Sequence, residues 1–318
     1  MIVDAHAHYH PRPLSAALAG IEGGGRGGGF PGAPDTDDAD HIERRVEMMD
    51  EAGVDLQVLS PAAGRAPYSR NETAAIEAAH IANDLSADLM ARYPGRFNAF
   101  VSLPLPHIDA SLRELERGMD ELGMIGLNLH ASVLDRSAAE DEFLPIFEEM
   151  ERRRGVIFYH PAASALQSPL IRDYGFTGVV GTTLEDAMIV LHLIAKQVPA
   201  RFPNITHVIP HLGGPIPMLL ERVDNQFTME AQGLPEPPSV TAKRFYYDTV
   251  CHGSHAALGA AHAAFGAEHM LSGSEYPVLL ELESYGRSLT WPRDVLPAED
   301  ATQIIERTAP AILGLAGD

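Results

Sequence analysis

Ile2-Val3-Asp4-Ala5-His6-Ala7-His8 opens the chain with a short apolar run that ends on two histidines. The same arrangement recurs twice. Val156-Ile157-Phe158-Tyr159 runs into His160, and Met270-Leu271 leads through Ser272-Gly273-Ser274 to Glu275. Short apolar runs bounded by polar residues read as buried strands. Further strands are expected at 54–59, 97–103, 125–129, 205–209 and 245–248. Between them, helical periodicity is read at 41–53, 71–93, 108–122, 142–153, 183–198, 216–227 and 256–265. Eight strands alternating with helices predict an α/β fold. An open doubly wound sheet is the competing arrangement, but it leaves the first, fifth and eighth strands apart. A closed ring makes the eighth strand a neighbour of the first and brings His6, His8, His160 and Glu275 to one rim. The expectation is therefore a distorted (β/α)8 TIM barrel forming a single domain over 1–318.

A glycine-rich insertion follows the first strand. Residues 20–34 include Gly23-Gly24-Gly25-Arg26-Gly27-Gly28-Gly29, too flexible to pack a core of their own. The stretch after the first strand is read as mostly loop, either over the active face or as a plain insertion. It is not tied to a strand-turn-helix unit, so no dinucleotide cradle and no organic cofactor are expected.

The 318 residues carry 44 acidic and 23 basic side chains, a formal net charge of -21. Such a surface repels phosphate backbones and anionic lipid, and no basic patch offsets it; nucleic-acid and membrane partners are not expected. The chain begins without a basic and apolar targeting segment, and no run reads as long and apolar enough to span a membrane, so the cytoplasm is the expected compartment. Cys251 is the only cysteine, which excludes an intrachain disulfide and a thiolate cluster; its thiol reads as core filling. Three imidazoles with one carboxylate suit a single divalent ion, Zn²⁺ first, with Mn²⁺ or Fe²⁺ as alternatives.

Taken in order, the histidine pair, the fifth-strand histidine, Pro210-His211-Leu212-Gly213-Gly214 and Gly273-Ser274-Glu275-Tyr276-Pro277 resemble the amidohydrolase superfamily. More narrowly, the chain resembles the amidohydrolase-2 group, which contains aminocarboxymuconate-semialdehyde decarboxylase. The segment from Arg45 to Val54 followed by Gln57-Val58-Leu59-Ser60, and Phe245-Tyr246-Tyr247-Asp248 followed by His252, are similar to the family's second and seventh strand regions. The resemblance implies that His6, His8 and His160 ligate the ion. It implies an aspartate after the eighth strand, where this chain carries Glu275. Glutamate reaches one methylene further and could ligate, transfer a proton, or both; a related hydratase has glutamate in that place.

The resemblance also implies that His211 handles a proton beside the metal. Arg45 becomes a candidate clamp for a substrate carboxylate, because a guanidinium holds both oxygens at once. Arg222 is a second candidate, placed by the resemblance near a subunit boundary that would make the protein a homodimer. Asp248 could orient a ligand or His252, and Asn128, His130 and His252 are candidate polar groups of the pocket. His80, His107, His192, His262 and His269 are expected to be exposed or locally hydrogen-bonded, and His207 to fill the core. A non-oxidative decarboxylase of a small aromatic or unsaturated carboxylic acid is the first expectation. A hydratase of an unsaturated diacid, or a hydrolase of a lactone, ester or amide, would use the same constellation.

Overall fold

The computed structural model describes residues 1–21, 36–62, 64–162, 168–230 and 233–315. The glycine run at 23–29 lies outside the described residues. Eight strands follow the expected order: Val3–His8, Leu56–Ser60, Phe97–Val101, Gly126–His130, Val156–His160, Thr206–Ile209, Tyr246–Asp248 and Met270–Leu271. Each pairs in parallel with the next. The ring is closed by chain beyond the last strand, where Ala7 bridges Tyr276 in parallel and the Glu275 amide donates to the His6 carbonyl at 2.8 Å. This is the (β/α)8 barrel, with helices packed around it.

A bulge decides which side chains of the first strand face inward. Its register against the second strand shifts between Asp4 and Ala7, which breaks the simple alternation of a strand. Val3 and Ala5 pack in the barrel interior with Val58, Phe100, Phe158 and Val208. His6 also points inward, its ring 4.9 Å from that of Phe158. Asp4 instead meets Gln57, Ser274 and Tyr285. Phe158 lies stacked on Phe100, with centroids 5.2 Å apart and planes at 7°, and is fully buried. Its ring also lies 6.2 Å from that of His160. Truncation by Phe158→Ala should cost about 3–5 kcal/mol through lost burial and a residual cavity. A shift in the denaturation midpoint worth less than about 1 kcal/mol would show that the interior collapses around the gap.

Two expectations need correction. The segment read as mostly loop contains the helix Arg12–Ala19. Leu14 and Leu18, one turn apart, pack with Ile21 against Ala78 and Ala82 of the helix Glu72–Arg92; two apolar residues in a short run were too weak a signal against the glycines that follow. Secondly, the helix spanning Thr177–Ala195 is long and apolar enough to cross a membrane by length and composition. It packs as a barrel helix, with Ala187, Ile189, Val190, Leu193 and Ile194 buried. Glu185 and Asp186 are buried on it too, and Asp186 belongs to the site described next.

Candidate metal centre

Ligand atoms of His6, His8, His160 and Glu275 all lie within 4.8 Å of one another. The first strand contributes two, the fifth strand one, and the turn after the eighth strand the carboxylate. Each imidazole has its other nitrogen engaged. His6 Nδ1 lies 2.7 Å from Asp248 Oδ2, His8 Nδ1 is 3.3 Å from the Ser60 carbonyl, and His160 Nδ1 is 3.0 Å from the Pro161 carbonyl. Carbonyl oxygens only accept, so Nδ1 carries the proton and Nε2 presents its lone pair. His160 Nε2 is buried without a hydrogen-bond partner. His6 Nε2 also lacks a well-directed hydrogen bond, although Glu275 Oε2 is 2.9 Å away. Orphaned, buried lone pairs converging beside a carboxylate are what a divalent cation requires, so the residues fit the group.

Beside these four stands a second chain of contacts. His211 Nδ1 lies 2.8 Å from Asp186 Oδ2, and its Nε2 is 3.0 Å from Glu275 Oε2. Burial favours neutral His211, yet the charges of Asp186 and Glu275 outweigh it and raise its pKa well above the ordinary imidazole value. Burial pushes Asp186 up to about 6, with His211 opposing the shift. Glu275 moves the other way. Burial would raise it, but His6 and His211 hold it well below the usual carboxylate range. Asp248 ties the halves together: Oδ2 faces His6 while Oδ1 accepts from the backbone amides of His211 and Val250. Asp248→Asn should weaken metal affinity by about 10–100-fold, the usual cost of losing a carboxylate behind a ligating histidine. Titration with a competing chelator measures it, and unchanged affinity would sever Asp248 from the site.

The rim backbone is bent to deliver these groups. His211, Leu212, His252 and Glu275 adopt left-handed φ of 53°, 57°, 50° and 58°, a conformation that costs a non-glycine residue roughly 1–2 kcal/mol. Strain of this kind gathers where side-chain placement matters more than backbone comfort. Two glycines permit the close approaches. A Cβ at Gly214 would drive into the Thr183 carbonyl of the helix that carries Asp186, and one at Gly273 would lie 2.6 Å from His6 Cβ.

Residues 3–315 match the family described as amidohydrolase (Amidohydro_2). The chain belongs to the amidohydrolase family. Among curated relatives, 2-amino-3-carboxymuconate-6-semialdehyde decarboxylase of Dictyostelium discoideum is 27% identical over 216 residues, covering 67% of this chain and 60% of the relative. The match therefore spans less than two thirds of that relative's length. The 2-keto-4-carboxy-3-hexenedioate hydratase of Sphingobium sp. is 27% identical over 238 residues, 68% of this chain and 67% of the relative. A dihydroxybenzoic acid decarboxylase from Polaromonas sp. JS666, solved with bound manganese and 2-nitroresorcinol, shares the fold with a TM-score of 0.80 and 22% identity, covering 99% of this chain and 97% of its own.

The other candidates of this amidohydrolase fall into two groups. His252 and Cys251 line the cavity above the centre, together with His160, His211 and Glu275. Arg45, Arg222 and Asn128 are not among its lining residues. Arg45 is buried beneath the rim, where Nε donates to Gln57 Oε1 at 2.5 Å and Nη1 to the His8 carbonyl at 2.9 Å. Its guanidinium also lies over the Tyr276 ring, 4.2 Å from the centroid. Arg222 is exposed on the helix Ile216–Glu230. Asn128 is buried, with Nδ2 lacking a partner, two residues before His130, whose ring is 5.5 Å from His160. His207 sits in the core, its Nδ1 2.9 Å from the Tyr159 hydroxyl.

Sequence reasoning missed Asp186 and did not single out His10 or Arg65, which line the cavity. An acidic pair inside an otherwise apolar helix, Leu184-Glu185-Asp186-Ala187, was the available signal for the first, since buried carboxylates need a partner. Asp4 was read only as part of a strand. It accepts from the Ser274 amide at 3.0 Å, Ser274 Oγ at 2.6 Å, Gln57 Nε2 at 2.7 Å and the Tyr285 hydroxyl at 3.0 Å. That network anchors the turn carrying Glu275.

Proposed function

We propose that this amidohydrolase is a metal-dependent, non-oxidative decarboxylase of a small aromatic or unsaturated carboxylic acid, working as one catalytic unit over 1–318. The observation that carries the reading is His211. It is an imidazole backed by a buried carboxylate at 2.8 Å and aimed at the edge of the ligand cluster, which is the geometry of a proton donor beside a cation site. His6, His8, His160 and Glu275 would hold the ion, which when bound acts as a Lewis acid toward a substrate oxygen. Zn²⁺ suits the nitrogen-rich set; the bound manganese of the Polaromonas structure makes Mn²⁺ the alternative. Asp248 orients His6, and Arg45 supports the His8 carbonyl from below.

In this reading, His211 delivers its Nε2 proton to the carbon that bears the carboxylate. The bond to the carboxyl carbon then breaks, its electron pair returns to the unsaturated system, and CO₂ leaves. Asp186 holds the imidazole upright and stabilises its charged form until the transfer; neutral His211 recovers a proton from solvent. Leu212, Val250, Val278 and Leu279 line the cavity and limit water around the developing charge. His252 lines the same cavity and would meet the substrate there. The exposed apolar side chains of Leu170, Tyr174 and Val179, the last of which lines the cavity, support a homodimer.

Metal-loaded enzyme assayed for CO₂ together with product mass tests the reading. The expected product has lost 44 mass units as CO₂ and gained one solvent-derived C–H. A product heavier by one water would instead favour the hydratase reading, which Glu275 in the ligand set and the Sphingobium relative support. Chelation should abolish turnover, and Zn²⁺ or Mn²⁺ added back should restore it.

A further inference from the structure

The cavity above the centre is about 900 Å³, toward the upper end of the roughly 300–1,000 Å³ usual for ligand pockets. A single ring with one carboxylate fills a small part of that space. Unfilled volume forfeits contact for every atom that lines it, so the character of the remaining wall describes what a ligand carries besides its reacting end.

Apolar side chains begin at the centre itself. Leu212 follows His211, Val250 stands two residues beyond Asp248, Leu184 two before Asp186, and Leu279 four beyond Glu275; all of them line the cavity. The rim segments that deliver the polar groups thus deliver an apolar wall with them. Burial then falls outward. Leu212, Val250 and Leu279 are 1%, 4% and 3% exposed, whereas Val180 and Val179, on the helical turn Thr177–Gly181, are 38% and 70% exposed and line the same space. Thr182 and Thr183, between that turn and Leu184, line it too. Their hydroxyls donate to the carbonyls of Gly178 and Val180 at 3.1 and 3.0 Å, so each spends its one proton on its own helix.

We propose that this lining is a tail site: the acid bound at the centre carries an apolar substituent, an alkyl chain or a second ring, that lies along Leu212, Val250 and Leu279 and reaches the solvent edge at Val180. This rests on the reading that the reacting carboxylate sits at the metal centre. A polar extension of the same length would give up its hydration against these walls, whereas each methylene buried there strengthens binding by up to about fourfold.

Titration calorimetry of metal-loaded protein with benzoate and its 3- and 4-substituted ethyl, butyl and hexyl derivatives tests this without requiring turnover. In at least one of the two series affinity should climb with chain length, reaching about thirtyfold or more over benzoate at hexyl. Val180→Asp should cut that ratio by about threefold or more, because the tail then meets a hydrated charge, and Val180→Leu should keep it. Val180 is 38% exposed, so both variants leave the core intact, which circular dichroism checks. Two flat series, or a climb that Val180→Asp leaves untouched, would overturn the tail site. The climb is read from binding alone. If it stands while no CO₂ is released in the product assay, the tail site holds and the decarboxylase reading fails; CO₂ release beside two flat series does the reverse.

Discussion

Replacing His211 by asparagine should cut turnover by about 10²–10⁴-fold while leaving the bound ion in place, the range that loss of a general acid commands. In the proposed reading His211 does not hold the metal. The four ligand atoms that converge within 4.8 Å are those of His6, His8, His160 and Glu275, and the His211 imidazole reaches them through Glu275 Oε2. Asparagine keeps a hydrogen-bonding group at that place but cannot titrate. Metal content by elemental analysis, measured beside turnover, separates the possibilities. Parallel loss of both would recast His211 as a ligand; full turnover would remove it from the proton path. Asp186→Asn should reproduce a smaller part of the loss, because the imidazole stays but its charged form loses the carboxylate 2.8 Å behind it.

Glu275→Asp should retain the ion and lose turnover by about 10²-fold. The glutamate spans three partners at once: His6 Nε2 at 2.9 Å, His8 Nε2 at 3.3 Å and His211 Nε2 at 3.0 Å. Its backbone is fixed by the left-handed φ of 58° and by its amide on the His6 carbonyl, so the main chain cannot advance to compensate for a missing methylene. The shorter carboxylate is expected to keep the ion side of the cluster and give up the contact with His211. If Glu275→Asp left both metal and rate intact, the extra length would be irrelevant to this site. If metal were lost, glutamate's reach would be a requirement of binding and not of proton transfer.

The alternation of apolar runs and helical periods made the barrel legible. Strands are short and buried on both faces, so their apolar runs stand out, and the observed Val156–His160 or Thr206–Ile209 differ from the expected spans by a residue. The convergence of His6, His8, His160 and Glu275 was legible for a related reason: the histidines lie in or at the end of a strand and Glu275 in the turn after one, and a closed ring gathers the C-terminal ends of its strands at one rim. The residues behind them were not. Asp186 sits on a helix 25 residues before His211; the apolar run around it signals burial, but its partner is set only when the helix packs against Gly214. Arg45 carried the same charge in the sequence as Arg65, yet folding buried one beneath the rim and set the other on the cavity wall.

The sequence by itself determined the ring of eight strands and the side chains that converge at its rim, because hydrophobic periodicity and strand-end position are local properties of the chain. Tertiary structure alone decided which nitrogen of each histidine faces the centre, which carboxylate stands behind His211, and which arginine meets the cavity. Those outcomes depend on hydrogen bonds between residues as far apart as His6 and Asp248 and on a one-residue bulge in the first strand. Distance in space, which the order of residues does not encode locally, sets both.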